Sequence, residues 1–373
     1  MVTDELVYRR LQQHLDDSPE GFHATRSGAD IRILKRLFTP DEAQIAVHLS
    51  HMKPLSARSI QRRLQKSQID FPLSQIRKAL MNMVSKGTIL AVWEGYREVH
   101  YQNAGVSAGG IYDFQVNRLS PELIADFDEY HMESFTRPSV PNVRRLLPLR
   151  TVPVEKSIPV PLKRAVSTYD DLRQIIQAAP GPLAVANCIC RQTQDLKGHP
   201  CRYTALRESC LQIGTDHARQ YVEMGIARYI SKEEALEILA RAQQDGLIIQ
   251  PENSKKPEAI CCCCGDCCAL LTAISRSPRP ALAYSTNYYV DVDLKKCDLC
   301  GTCVQRCQIK ARLINDNKSS VDLDRCIGCG NCVTTCRTKA TRLIQKKQTE
   351  VPPENKTDFY QHLLKVKKAS VKD

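Results

Sequence analysis

The sequence predicts an α+β chain of several domains rather than one continuous core. Three observations carry this. Eight cysteines between Cys297 and Cys336 fall into two copies of one spacing, ten further cysteines crowd the middle of the chain, and the first third holds helix-period segments followed by two β-rich runs. At 373 residues the chain is long enough for two or three units, each burying its own core.

Residues 1–135 form the first unit. Thr39-Pro40-Asp41-Glu42 is a capping box with proline at the first helical position, so a helix starts there. Ser56 to Lys66 gives a second helix after the Lys53-Pro54 break. Leu73, Ile76, Leu80, Met83 and Val84 then recur at helical spacing until Gly87 ends the run. Thr88 to Trp93 and Tyr96 to Tyr101, joined at Glu94-Gly95, read as a hairpin. Helices followed by a hairpin are the pattern of a winged helix. Ile31 to Ala104 carries twelve Lys/Arg against five Asp/Glu, with Arg77 and Lys78 near the start of the third helix, so DNA is one expected partner. Protein docking is the other, because winged helices serve both uses. Ser120-Pro121 opens a further helix past Leu123, Ile124 and Phe127.

Residues 136–165 are expected to be a linker or extended arm. Six prolines, Pro138, Pro141, Pro148, Pro153, Pro159 and Pro161, exclude a helix there. The middle domain, residues 166–285, reads as mixed α/β. A helix over Tyr169 to Ala179, capped by Ser167 or Thr168, leads to a buried strand over Pro182 to Ala186. A capping box at Ser231 opens another helix that Gly246 closes. Its cysteines are Cys188, Cys190, Cys201, Cys210 and the run Cys261 to Cys268. Within that run Cys261, Cys264 and Cys267 repeat a C-x2-C-x2-C spacing. A fourth thiolate from Cys188, Cys190, Cys201 or Cys210 would close a third metal site. Arg191 beside the first pair favours thiolate. An iron-sulfur cluster, a zinc or mixed site, and a redox-active thiol set all remain open for these residues.

Residues 286–345 hold the duplicated unit. Cys297, Cys300, Cys303 and Cys307, then Cys326, Cys329, Cys332 and Cys336, both read C-x2-C-x2-C-x3-C. The same 29-residue shift superposes Asp293 on Asp322, Leu294 on Leu323, Gly301 on Gly330, Val304 on Val333 and Lys310-Ala311 on Lys339-Ala340. A tight loop with a cysteine every third residue aims soft thiolates at one cluster, whereas zinc sites usually pair two C-x2-C units across a longer gap. Over roughly Asn287 to Gln345 the chain resembles bacterial-type dicluster ferredoxins. Taken with the units ahead of it, the whole is similar to multidomain ferredoxin-like proteins of anaerobic prokaryotes. The resemblance implies a βαββαβ fold, with strands over Tyr288 to Leu294 and Lys318 to Leu323. It also implies two 4Fe-4S clusters with crossed ligands: Cys297, Cys300, Cys303 and Cys336 for one, Cys326, Cys329, Cys332 and Cys307 for the other. Where that family usually has proline after the fourth cysteine, this chain has Gln308 and Arg337.

Residues 346–373 are lysine-rich and expected to be a mobile tail, with a short helix over Tyr360 to Val366. The formal charge is +12, falling to about +8 once two clusters of about −2 each are loaded. Residues 287–345, with ten Lys/Arg and six Asp/Glu, then stand close to neutral, so the excess lies elsewhere. No secretory leader and no apolar run near ~18 residues is apparent, and committed thiols fit a reducing cytoplasm. There is no phosphate loop, dinucleotide fingerprint or H-E-x-x-H. The expected function is electron transfer to or from a partner oxidoreductase. A redox-sensing winged-helix regulator is the alternative, and thiol or sulfur chemistry in the middle domain a third.

Overall fold

A computed structural model describes residues 4–93, 95–106, 110–135, 147–158 and 167–370. The first unit contains α1 (Asp4–Asp16), α2 (Ala29–Leu37), α3 (Pro40–Ala46), α4 (Ala57–Lys66), α5 (Leu73–Lys86), the strands β1 (Ile89–Val92) and β2 (His100–Asn103), and α6 (Pro121–Phe135). The helix starts follow their caps. Thr39 accepts the Glu42 N–H while Glu42 returns a carboxylate to the Thr39 N–H, and Ser56 accepts the Ser59 N–H. Gly87 takes φ +69° to end α5, and any Cβ there would lie 2.2 Å from that of Phe114. The hairpin is shorter than its β-rich runs: Ile89 pairs with Asn103 and Val92 with His100. Leu11, Ile33, Ile45, Ile60, Leu64, Ile76, Leu80 and Phe127 fill a core that continues into Ile189 and Tyr221 of the next unit.

The middle unit is built on one antiparallel sheet. It comprises α7 (Leu172–Ala178), β3 (Leu183–Asn187), α8 (Ile189–Leu196), β4 (Glu208–Ile213), α9 (Thr215–Glu223), β5 (Ala227–Ile230), α10 (Lys232–Asp245), β6 (Ile248–Pro251), β7 (Ala259–Cys263) and α11 (Ala269–Ser275). The strand order is β5-β3-β4-β7-β6. Asp171, not Ser167 or Thr168, caps α7, because its carboxylate accepts both the Arg173 and Gln174 N–H groups.

The expected linker lies partly outside the described residues, at 136–146 and 159–165. Its described part, 147–158, is a buried strap. Val152 donates its N–H to the Ile249 carbonyl at 3.2 Å, and Arg150 to that of Pro251 at 3.0 Å, so the strap runs along β6. Leu147, Leu149, Val152, Val154 and Ile158 are buried. Alternating apolar residues give this proline-rich stretch a surface to bury, and proline is tolerated where a strand lies at a sheet edge.

The last unit runs β8 (Tyr288–Val292), α12 (Thr302–Arg306), β9 (Arg312–Asn315), β10 (Lys318–Val321), α13 (Asn331–Thr334), β11 (Thr341–Gln345). β8 pairs with β11 and β9 with β10, both antiparallel. The sequence duplication is also conformational. Positive φ recurs at Leu299 and Gly328, Gly301 and Gly330, and Lys310 and Lys339, each pair one repeat apart.

The lysine-rich tail, expected to be mobile with a short helix over Tyr360 to Val366, carries a longer helix. Lys356–Ser370 forms α14, with Phe359 and Leu363 buried. Tyr360 donates to Glu20 at 2.5 Å and Lys367 to the Asp16 carbonyl, while Lys356 stands 3.4 Å from Glu252. Its apolar side chains, sparse in sequence, share one helical face and close the seam between first and middle units.

Candidate metal centres

In the last unit the thiols of Cys307, Cys326, Cys329 and Cys332 lie within electrostatic reach of one another, so Cys307 stands with the second loop's three cysteines. Burial raises the pKa of Cys329 to about 12 and that of Cys332 above the ordinary thiol range. The first loop faces outward: Cys300 is exposed, Cys297 and Cys303 half-buried. Arg337, following Cys336, pairs with Asp298 between Cys297 and Cys300 at 2.6 Å. Backbone donors reach the sulfurs, from Ala311 N–H to Cys307 Sγ at 3.1 Å and from Thr341 N–H to Cys336 Sγ at 3.4 Å. A Cβ on Gly330 would meet Ser157 Oγ at 2.1 Å, and one on Gly328 the Tyr288 carbonyl oxygen at 2.3 Å, so glycine lets the second loop pack closely.

Arg312, which the sequence did not single out, is buried between the two cysteine sets. It donates to Cys303 Sγ at 3.5 Å and to Ser319 Oγ at 2.9 Å, and its charge faces Cys326 and Cys332. Its Nε and Nη1 are buried with no hydrogen-bond acceptor among the described residues. Such orphaned donors are costly unless something anionic fills the space. Converging thiols, N–H groups aimed at sulfur and a buried cation with spare donors all fit an anionic iron-sulfur cluster.

Residues 289–337 match the family of 4Fe-4S dicluster domains. That dicluster domain accounts for the C-terminal cysteines and supports iron-sulfur clusters as their cofactor. No curated protein matches the chain, and no solved structure does. No helix among the described residues is long and apolar enough to cross a membrane.

The middle cysteines separate into two groups. Side chains alternate along a strand, so on β7 Cys261 and Cys263 face one side and Cys262 the other, the side Cys264 also takes. On the first side runs a chain of neighbouring thiols: Cys188 meets Cys190, Cys190 meets Cys268, Cys268 meets Cys263, Cys263 meets Cys261, and Cys261 meets Cys210. These six line a cavity of about 90 Å³ together with Cys262, Cys264, Tyr112 and His131. Hydrogen bonds from Cys190 and Cys263 lower the Cys268 pKa to about 6, and those from Cys210 and Cys263 hold Cys261 well below the usual thiol range. Cys263 and Cys268 were not among the expected ligands, although a period-2 reading of β7 finds the first.

On the other side Cys201, Cys264 and Cys267 gather with Asp266, their donor atoms all within 4.8 Å of one another. Cys261 is not in this group, so the C-x2-C-x2-C frame is broken by the strand. Arg191, fully buried, donates to the Cys262 carbonyl at 2.9 Å and reaches Cys264 Sγ at 3.8 Å. A cavity of about 480 Å³ touches both groups, through Cys190 on one and Asp266 and Cys267 on the other.

Several side chains dock the dicluster domain on the middle unit, among them Arg306, Arg325, Asn331 and Gln308. Gln308 Oε1 accepts the Gly265 N–H at 2.5 Å and its amide donates to the Gly246 carbonyl, joining the residue after Cys307 to the cysteine turn of the middle unit.

Proposed function

We propose that this protein is an iron-sulfur electron carrier that exchanges electrons with a partner oxidoreductase. The convergence of Cys307 with Cys326, Cys329 and Cys332 carries the reading, since crossed ligation is the mark of a two-cluster unit. The ligand sets are then Cys297, Cys300, Cys303 and Cys336 outside, and Cys307, Cys326, Cys329 and Cys332 inside. When bound, 4Fe-4S clusters supply single-electron chemistry over a wide range of potentials. The chain's own residues arrange access. The exposed Cys300 loop offers a redox partner a short approach, while the inner set lies against the strap, where Val154 donates its N–H to the Cys329 carbonyl at 2.9 Å. Arg312 spans the two sets and offsets their negative charge. The cavity along the six-thiol chain, facing the same core as the inner set, suits a third iron-sulfur centre.

The test is iron and acid-labile sulfide in anaerobically purified protein. About eight irons with matching sulfide correspond to two cubanes, about twelve to three. Cys332→Ser is expected to remove or convert one cluster and cut electron flux to an artificial acceptor. Full flux with a cluster missing would overturn the reading.

A second reading, a winged helix that reads DNA under redox control, draws on α5. Ser74, Arg77, Lys78, Met81 and Asn82 lie on its solvent side, and its inner face packs through Ile76, Leu80 and Met83. Salt-dependent, oxygen-sensitive gel-shift binding would support it, and no binding at low salt would remove it.

A further inference from the structure

We infer that Cys201, Cys264, Cys267 and Asp266 hold a single zinc ion, separate from every iron-sulfur site. This goes beyond electron transfer and does not depend on it. The spacing of the donors decides the kind of centre. Four ligands of one tetrahedral ion with Zn–S near 2.3 Å stand roughly 3.8 Å apart, and these four donor atoms all lie within 4.8 Å of one another. The thiolates of a cubane each bind a different iron and must spread around the whole cluster, so this group is too tight for one. Soft thiolates with one oxygen in a tetrahedral arrangement favour zinc among the common cations.

The surroundings are built to hold the set. Cys264 and Cys267 form a C-x2-C turn whose Gly265 is required, because a Cβ there would lie 2.6 Å from the Gln308 carbonyl oxygen. Asp266 is fixed by its second oxygen, which accepts the Arg202 N–H at 2.8 Å and leaves Oδ1 3.6 Å from Cys201 Sγ. Outer partners of this kind orient ligands and raise affinity. Three thiolates, one carboxylate and Zn²⁺ leave a net charge of about −2. The buried guanidinium of Arg191, 3.8 Å from Cys264 Sγ, offsets part of it, and its Nε has no acceptor among the described residues. The ion would pin the loop between α8 and β4 to the turn between β7 and α11. That turn also holds the N–H that Gln308 engages.

Zinc and iron are measured together in the full-length protein purified anaerobically, with zinc K-edge absorption on the same sample. About one zinc per chain is expected, with three sulfurs near 2.3 Å and one oxygen near 2.0 Å. Cys201→Ser and Cys264→Ser should each lose the zinc while iron and sulfide stay at the wild-type level. Zinc absent from the wild type, a shell without the three sulfurs and one oxygen, or iron falling by about four in either variant would overturn the assignment. Should the variants fail to fold, the wild-type absorption spectrum still decides between these outcomes.

Discussion

Gln308 shows how one side chain turns a departure from a family pattern into a docking contact. In the dicluster family a proline commonly follows the fourth cysteine, and proline offers neither donor nor acceptor beyond its carbonyl. Glutamine here satisfies the Gly265 N–H and reaches the Gly246 carbonyl, from a position that is buried. Gly246 has a second donor, the Asn331 amide at 2.7 Å, so its carbonyl stays paired if Gln308 is lost. The Gly265 N–H has no such replacement among the described contacts. Gln308→Ala should therefore cost about 1–2 kcal/mol, the lower part of the range for stranding one buried donor. Iron and sulfide should not change, since Cys307 keeps its place. A drop in the denaturant midpoint at constant iron content is the expected result, and an unchanged midpoint would show that the contact does not hold the units together.

Elements differ in how plainly the chain announces them, and the reason is physical. Helices with a local stop or start signal were readable: the Thr39 capping box, Ser56 and Gly87 act through contacts a few residues away. The eight C-terminal cysteines were readable for the same reason, because their spacing fixes a loop whatever surrounds it. The cysteine run from Cys261 to Cys268 was not. A three-residue period groups Cys261 with Cys264 and Cys267, yet β7 imposes a two-residue period and sends Cys261 and Cys264 to opposite sides. That strand exists because it pairs with β4 and β6, and such long-range pairing leaves no signature beside the cysteines. The proline-rich strap is extended as its prolines imply, but composition showed neither its burial nor the length of α14. Each finds its partners only in the assembled chain, Val152 alongside Ile249 and Tyr360 against Glu20. Asp266 lay in view between Cys264 and Cys267, but a carboxylate becomes a donor only once Cys201 is brought across to it.

At the scale of the whole molecule, the seams between units are held by buried titratable groups, and these set how stability responds to pH. Arg150 of the strap pairs with Asp170 at 2.7 Å, and Asp170 also accepts from Asn287 at 2.9 Å, so one buried carboxylate links three segments. Removing one partner of such a pair strands the other charge and is typically far costlier than losing a surface bridge. Several buried histidines and carboxyls act in the acid range, with His48 and His51 lowered and Asp170 raised among them. Burial lowers His14, His131 and His217 to about 4 from the usual 6.5, and raises Glu252 to about 7 from 4.5 against the attraction of Lys356. The histidine contribution is complete above pH 6.5 and is lost as pH falls through about 4, because the unfolded chain takes up protons that the fold refuses. The Glu252 contribution runs oppositely: present below pH 4.5, lost as pH rises through about 7. Between pH 4.5 and 6.5 the lowered histidines outweigh the raised carboxyls, so stability should rise with pH by roughly 1.4 kcal/mol per unit for each net proton. Acid-labile clusters add their own pH dependence, so the informative measurement is a difference. His217 packs against Phe114 and Tyr221 and faces the charges of Lys356 and Glu258. His217→Gln removes its proton uptake from the unfolded state and leaves the cysteines untouched. Denaturant midpoints at pH 6.5, 5.5 and 4.5 should show a shallower slope for the variant, by about one proton's worth. Equal slopes for wild type and variant would mean that His217 titrates normally in the fold and that this seam is open to water.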